Sequence, residues 1–251
     1  MDAIAGVTPP NPTKKFRSRL LILLLALVLL GVGANIKLRE FRQIARRASC
    51  ANDLKQLWLY LAPYTEEHSG LYPAISHTRG NIMMDPAGFY PEFMTSSAWA
   101  QCEFSDARRQ KNKPDETDLG PAAFNDDSFY YLPWEITNEA EGLAFIEAYK
   151  TLDPSKLDDD LSVTIDGQIR LLPRSRIFRY GSTDSATPVG TPTPIMVEWP
   201  TRMHANMCVL YSDGSVHRMQ MGEEFPMTEA FFKGMRDIAD LDGSISRREN
   251  K

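Results

Sequence analysis

The stretch LLILLLALVLLGVGA at residues 20–34 is uncharged and apolar, and it follows directly on the basic run KKFRSR at 14–19. Eight of its first eleven residues are leucine. At roughly 0.3–0.6 kcal/mol of insertion free energy per large aliphatic side chain, the Leu, Ile and Val residues of 20–30 favour a bilayer by about 3–6 kcal/mol. Extended from Leu20 to Ile36 the run is 17 residues, about 26 Å of helix, at the short end for a hydrocarbon core of about 30 Å. Arg19 and Lys37 could snorkel to make up the difference. Three readings compete: an uncleaved membrane anchor, a signal peptide cut after Val32-Gly33-Ala34, and a buried core helix. The anchor is the expectation adopted. A core helix rarely carries Lys14, Lys15, Arg17 and Arg19 at one end, and no helix breaker follows Ala34.

Working outward, residues 1–13 hold three prolines and read as a disordered tail, and 1–19 together form a basic tail. Beyond the expected transmembrane helix at 20–36, Leu38, Phe41, Ile44, Ala45, Ala48, Ala51, Leu54, Trp58 and Leu61 recur at spacings of three and four. That is one face of an amphipathic helix, here a stem over 37–62. Arg39, Glu40, Arg42, Arg46, Arg47, Asp53 and Lys55 fill the other face. Pro63 and then His68-Ser69-Gly70 end it. A folded domain, the part that the resemblance given below implies is exported, is expected over 63–244 and a disordered tail over 245–251.

Within that domain, residues 70–134 are rich in Pro, Gly, Asn and aromatics and read as loops with one strand at FYYL. Asn138 followed by Glu141 makes a capping-box pattern ahead of a helix to Lys150. The period then changes to two. Leu161, Val163 and Ile165 alternate with polar residues, Asp166-Gly167 supplies a turn, and Ile169 and Leu171 resume the alternation. PIMVEW at 194–199 is a further strand. Cys208–Tyr211 and Val216–Met219 flank Ser-Asp-Gly-Ser as a second hairpin, and a last helix runs from Thr228 to Ala239. The fold class is α+β: one long N-terminal helix, half in the membrane and half amphipathic, packed on a C-terminal antiparallel sheet.

The net charge of −5 hides an asymmetry, because residues 1–60 carry ten Lys/Arg against three Asp/Glu. The remainder is strongly acidic, which argues against nucleic acid as a partner, since phosphate demands the opposite sign. The basic stem suits anionic lipid head groups, so the bilayer is the expected partner. Basic residues lie on both sides of the apolar run, and the positive-inside rule does not choose a direction. Three cysteines are too few for a disulfide scaffold.

No GxSxG, HExxH, phosphate-binding glycine loop or CxxC occurs, and no residue is assigned to catalysis, a cofactor or a metal. His204, Ser212 and Asp213 invite a hydrolase reading, but a straight strand between them would hold His204 and Asp213 roughly 25 Å apart. A turn pair, with Gly214 at positive φ and Asp213 capping, is the simpler use. His68, His77 and His217 lack metal-ligand spacing. Asp158, Asp159 and Asp160 offer oxygens for calcium but no glycine at the EF-hand offset, and a solvated acidic turn is preferred. Phe129, Tyr130, Tyr131 and Trp134 could stack on carbohydrate, with core packing the favoured use.

The order of motifs resembles a family. ARRASCANDLKQLWLYLAPYTEEHSGLYP at 45–73 looks like the stem of bacterial pseudopilin-like proteins with a prepilin-type N-terminus, as in type II secretion. GFYPEFMTSSAWAQCEFSDA at 88–107 and DDSFYYLPWEITNEAEGLAF at 126–145 are similar to later segments of that group. RMHANMCVLYSDGSVHRM at 202–219 resembles its closing His-x9-Asp-Gly motif, carried here by His204, Asp213 and Gly214 with eight intervening residues. The resemblance implies a pilin-like fold, a single-pass inner-membrane protein with a cytoplasmic N-terminus and a periplasmic domain, and pilin-like subunits or secretion components as partners. The chain lacks the family's processing glycine near Lys14 and its glutamate near Arg19. A static, non-enzymatic structural or accessory role is therefore implied rather than a filament subunit. A membrane-tethered polysaccharide-binding module is the alternative. The stem also places Cys50 where a bridge to Cys102 is allowed, with Cys208 single in its strand; three buried free thiols is the other reading.

Overall fold

The structure is a computed structural model, and it describes residues 12–102, 120–126, 128–177, 191–199, 206–239 and 241. Residues 1–11 of the tail expected over 1–19, the tail expected at 245–251, and His204 lie outside the described residues. The chain divides into two compact units, residues 1–45 and 46–251, each taken by itself.

Helix α1 runs from Pro12 to Glu67. In the first unit its apolar side chains, including Leu25, Val28, Leu29 and Leu30, stand exposed. So do Leu38, Phe41 and Ile44, which the spacing places on a packed stripe. Burial begins at Cys50, six residues after Ile44: Cys50, Leu54, Leu57 and Leu61 are fully buried, with Trp58 half-buried beside them. Pro63 does not stop the helix, which continues to Glu67. The stop is the sequence Ser69-Gly70, where both residues take positive φ and the Gly70 N–H bonds the Thr65 carbonyl at 2.7 Å.

The transmembrane helix expected at 20–36 is corrected: among the described residues no helix is long and apolar enough to cross a membrane. Charges close in on both sides of the run, since Arg19 and Lys37 leave only 17 uncharged residues between them. The single-pass, signal-anchored placement in the inner membrane, with its cytoplasmic N-terminus and periplasmic domain, loses its basis with it.

In the second unit, β1 (Phe129–Tyr131), β4 (Pro194–Glu198), β5 (Asn206–Tyr211) and β6 (Val216–Gln220) form a four-stranded antiparallel sheet in the order β1-β4-β5-β6. Strands β2 (Leu161–Ile165) and β3 (Gln168–Leu172) form a separate hairpin. Among the described residues the unit also holds helices α2 (Glu139–Thr151) and α3 (Glu229–Ala239). The pilin-like expectation of one long helix packed on one C-terminal sheet is therefore also corrected. The strands split into two sheets, and the extensive helix packing is that of α2 on β2 and on α3, not of α1 on a sheet. The physical reason is the loop region 70–134. Tyr72, Ile75, Ile82, Met83, Met84, Phe89 and Phe124 from it enter the same apolar cluster as the α1 stripe and share the burial that a sheet alone was expected to supply.

Local chemistry explains the remaining elements. Asn138 caps α2 by accepting from the Glu141 N–H at 3.0 Å, and Glu141 reaches back to the Thr137 N–H at 2.8 Å. Helices α2 and α3 approach where Gly142 and Gly234 present no side chain, because a Cβ at either would overlap Phe231 or Ile146. Asp166 and Gly167 both take positive φ, as a two-residue hairpin turn between β2 and β3 requires. One charged side chain holds the loops together. Arg174 is 6% exposed and its guanidinium donates to the carbonyls of Tyr72, Pro73, Pro133 and Asp158 at 2.9–3.2 Å. Its planar fork of donors satisfies carbonyls that no secondary structure covers.

Candidate functional site

The Ser212–Ser215 turn between β5 and β6 is where the motif residues gather. Asp213 accepts from the Ser215 N–H through Oδ1 at 2.9 Å, and the Gly214 N–H donates to the Tyr211 carbonyl at 2.9 Å. Gly214 has φ +79. Two α1 side chains close on it. Lys55 Nζ donates to the Gly214 carbonyl at 2.6 Å and lies 5.2 Å from the Trp58 ring centre, while the Trp58 ring covers the Gly214 Cα so closely that a Cβ there would collide with it. Tyr72 donates its hydroxyl to the Ser212 carbonyl at 2.8 Å, and Ser212 Oγ accepts from the Thr193 N–H at 3.1 Å. Burial raises the Tyr72 phenol well above its ordinary value, so it stays a donor. Asp213 and Ser212 thus hold backbone.

A second cluster lies in the middle of the same sheet. Glu198, on β4, is 2% exposed and accepts from the Cys208 N–H at 3.0 Å. Burial pushes its carboxyl up to about 7, against the lowering effect of that hydrogen bond and of Arg218. Cys208 is a free, buried thiol, and burial together with the Glu198 charge pushes it up to about 12. A thiol that far above neutrality carries almost no thiolate and is a poor nucleophile. Sequence reading passed over Glu198; the available signal was one carboxylate inside the apolar run Ile195-Met196-Val197-Glu198-Trp199.

The third cluster joins α1 to the loop behind the 3-10 turn at Ser97–Ala100. Cys50 and Cys102 are disulfide-bonded, with Cα atoms 5.4 Å apart across 52 residues of sequence. Asp53, which the helical pattern assigns to the charged outer face, is instead 6% exposed beside the sulfurs. Cys50, Asp53 and Cys102 are the single group among the described residues whose donor atoms lie close enough together to hold a metal ion. With the sulfurs bonded to each other, no thiolate remains to ligate one.

The other candidates are dispersed. His68 stacks on Tyr64 at 3.7 Å between ring centres, and His217 packs edge-on against Tyr211. His77 stands 3.8 Å from Asp85 and 4.0 Å from Asp158. The acidic turn does not converge on a cation: Asp160 accepts from the Arg174 N–H, and the Asp158 and Asp159 carbonyls accept from Arg174 and Trp134. Phe129, Tyr130, Tyr131 and Trp134 are all fully buried, so they form core and present no stacking surface. Tyr131 and Trp134 direct their polar atoms to the Pro73 and Asp159 carbonyls at 2.6 and 3.0 Å.

Compared with family models, curated proteins and solved structures, the chain matches none.

Proposed function

We propose that the chain is a non-enzymatic structural or accessory component of a secretion or cell-surface assembly, akin in the order of its motifs to pseudopilin-like proteins. The observation that supports this most directly is the use made of the Asp213-Gly214 turn. Its carboxylate caps backbone, its glycine carbonyl receives Lys55, and its Cα lies under Trp58. The turn is a fastener between the closing hairpin and residues 55–58 of α1. The Cys50–Cys102 bridge fastens the same helix one to two turns earlier. The reactive side-chain types in these clusters are consumed in holding the unit together: the Cys208 thiol is protonated and enclosed, and Glu198 faces a strand neighbour.

The polysaccharide alternative rested on the aromatic segment 124–134, whose large rings are now in the core. The experiment for the proposal is in-cell cross-linking of the tagged full chain, with cross-linked peptides identified by mass spectrometry. Cross-links from residues 46–239 to pilin-like subunits or secretion components are the expected result. Cross-links confined to soluble enzymes, or no excess over an untagged control, would overturn it.

A further inference from the structure

Cys50, Asp53 and Cys102 meet inside the second unit, and the disulfide accounts for only two of them. Cys50 and Asp53 are three residues apart on α1, so they project from the same face of the helix. Cys102 reaches them from the loop behind the 3-10 turn at Ser97–Ala100, 52 residues further along the chain. The two sulfurs and an Asp53 carboxylate oxygen lie within 4.8 Å of one another, and the three residues are 0%, 2% and 6% exposed in that order of atoms. A disulfide needs two cysteines and has no use for a carboxylate. Two soft sulfur donors and one hard oxygen, converging from a helix and a loop, are the donor set of a zinc ion. The spacing agrees. Tetrahedral zinc about 2.3 Å from each sulfur and about 2.1 Å from an oxygen holds its donors about 3.5–3.8 Å apart. Two sulfurs no longer bonded to each other separate to about that distance in any case, starting here from Cα atoms 5.4 Å apart. A cation at this point also offsets the charge of a carboxylate held out of water.

We infer that the triad has two states: a disulfide when oxidised, and when reduced a zinc site in which Cys50, Cys102 and Asp53 are the protein ligands. A dithiol supplies two electrons and two protons to the S–S bond and leaves as its own disulfide. The two cysteine thiols then release their protons as the sulfurs bind the metal. Three protein ligands leave the fourth tetrahedral position to water. Both states hold the same turn of α1 against the same loop, so the fastening survives in a reducing compartment, where a disulfide does not persist. The inference goes beyond the assembly reading and does not rest on it.

The test is a titration of the full chain, reduced by a dithiol and freed of it without air, with cobalt(II) and then zinc(II). One equivalent of cobalt should give a thiolate-to-cobalt charge-transfer band and the visible bands of a tetrahedral centre, and zinc should abolish both. Cys50→Ser and Cys102→Ser should each lose the site. Asp53→Asn, which keeps the side chain's shape, should bind at least about 10-fold more weakly. Cys208→Ala should titrate like the wild type. Zinc should also raise the thermal midpoint of the reduced chain and leave that of the oxidised chain unchanged. A reduced chain that loses its fold should regain its circular dichroism with zinc. No band in the reduced chain, a band that depends on Cys208, equal binding by the oxidised chain, or an affinity indifferent to Asp53→Asn would each overturn the inference.

Discussion

Replacing Gly214 with alanine puts two independent penalties on one atom. The residue has φ +79, a conformation that costs an L-residue about 1–2 kcal/mol. The added Cβ would also overlap the Trp58 ring, and forcing a methyl into a filled space costs about 1–3 kcal/mol. The ring cannot simply swing aside without giving up the Lys55 contact above it, since Lys55 is held at 2.6 Å by the Gly214 carbonyl. Gly214→Ala should therefore destabilise the chain by about 2–5 kcal/mol, measured as a loss of midpoint in denaturant at constant slope. The two penalties separate in a double-mutant cycle. In a Trp58→Ala background the steric part vanishes, and Gly214→Ala should cost only the conformational about 1–2 kcal/mol. If the substitution costs the same with and without Trp58, the docking of α1 on the turn is not what the glycine serves. If it costs under about 0.5 kcal/mol in the wild type, both halves of the reasoning fail.

Three further outcomes follow from the buried polar groups. Glu198 has its folded value raised to about 7 from an ordinary 4.5. Between those values the folded chain holds a proton that the unfolded chain has released, so stability falls as pH rises through that window, by at most about 3 kcal/mol. Denaturation midpoints from pH 4.5 to 8 should flatten in Glu198→Gln, and an unchanged slope would contradict the assignment. Arg174→Met should cost about 1–3 kcal/mol by thermal unfolding, because the buried Tyr72 carbonyl loses its donor, while those of Pro73 and Pro133 keep the Tyr131 hydroxyl and the Ser175 N–H. Arg174→Lys should recover only part of that, lacking the fork. Cys50→Ser should cost about 2–4 kcal/mol in denaturant, with a ceiling near 4 kcal/mol set by the 52-residue separation, and full wild-type stability without the bond would refute its role.

What was legible in the sequence was the local part. The caps and turns at Asn138, Asp166-Gly167 and Asp213-Gly214 are chemistry that acts over three or four residues, and each element beside them forms within a residue or two of its expected bounds. The long-range part was not legible. Periodicity along α1 is nearly uniform from Leu38 to Leu61, yet burial begins only at Cys50, because burial depends on where the rest of the chain supplies a partner surface. Asp53 reads as an outer-face charge for the same reason. Nothing within its own helix says that the loop carrying Cys102 comes to lie over it. The sheet split was hidden by a similar ambiguity. Two hairpins with the same alternation are indistinguishable in sequence, and only the packing of α2 against β2 separates the second sheet from the first.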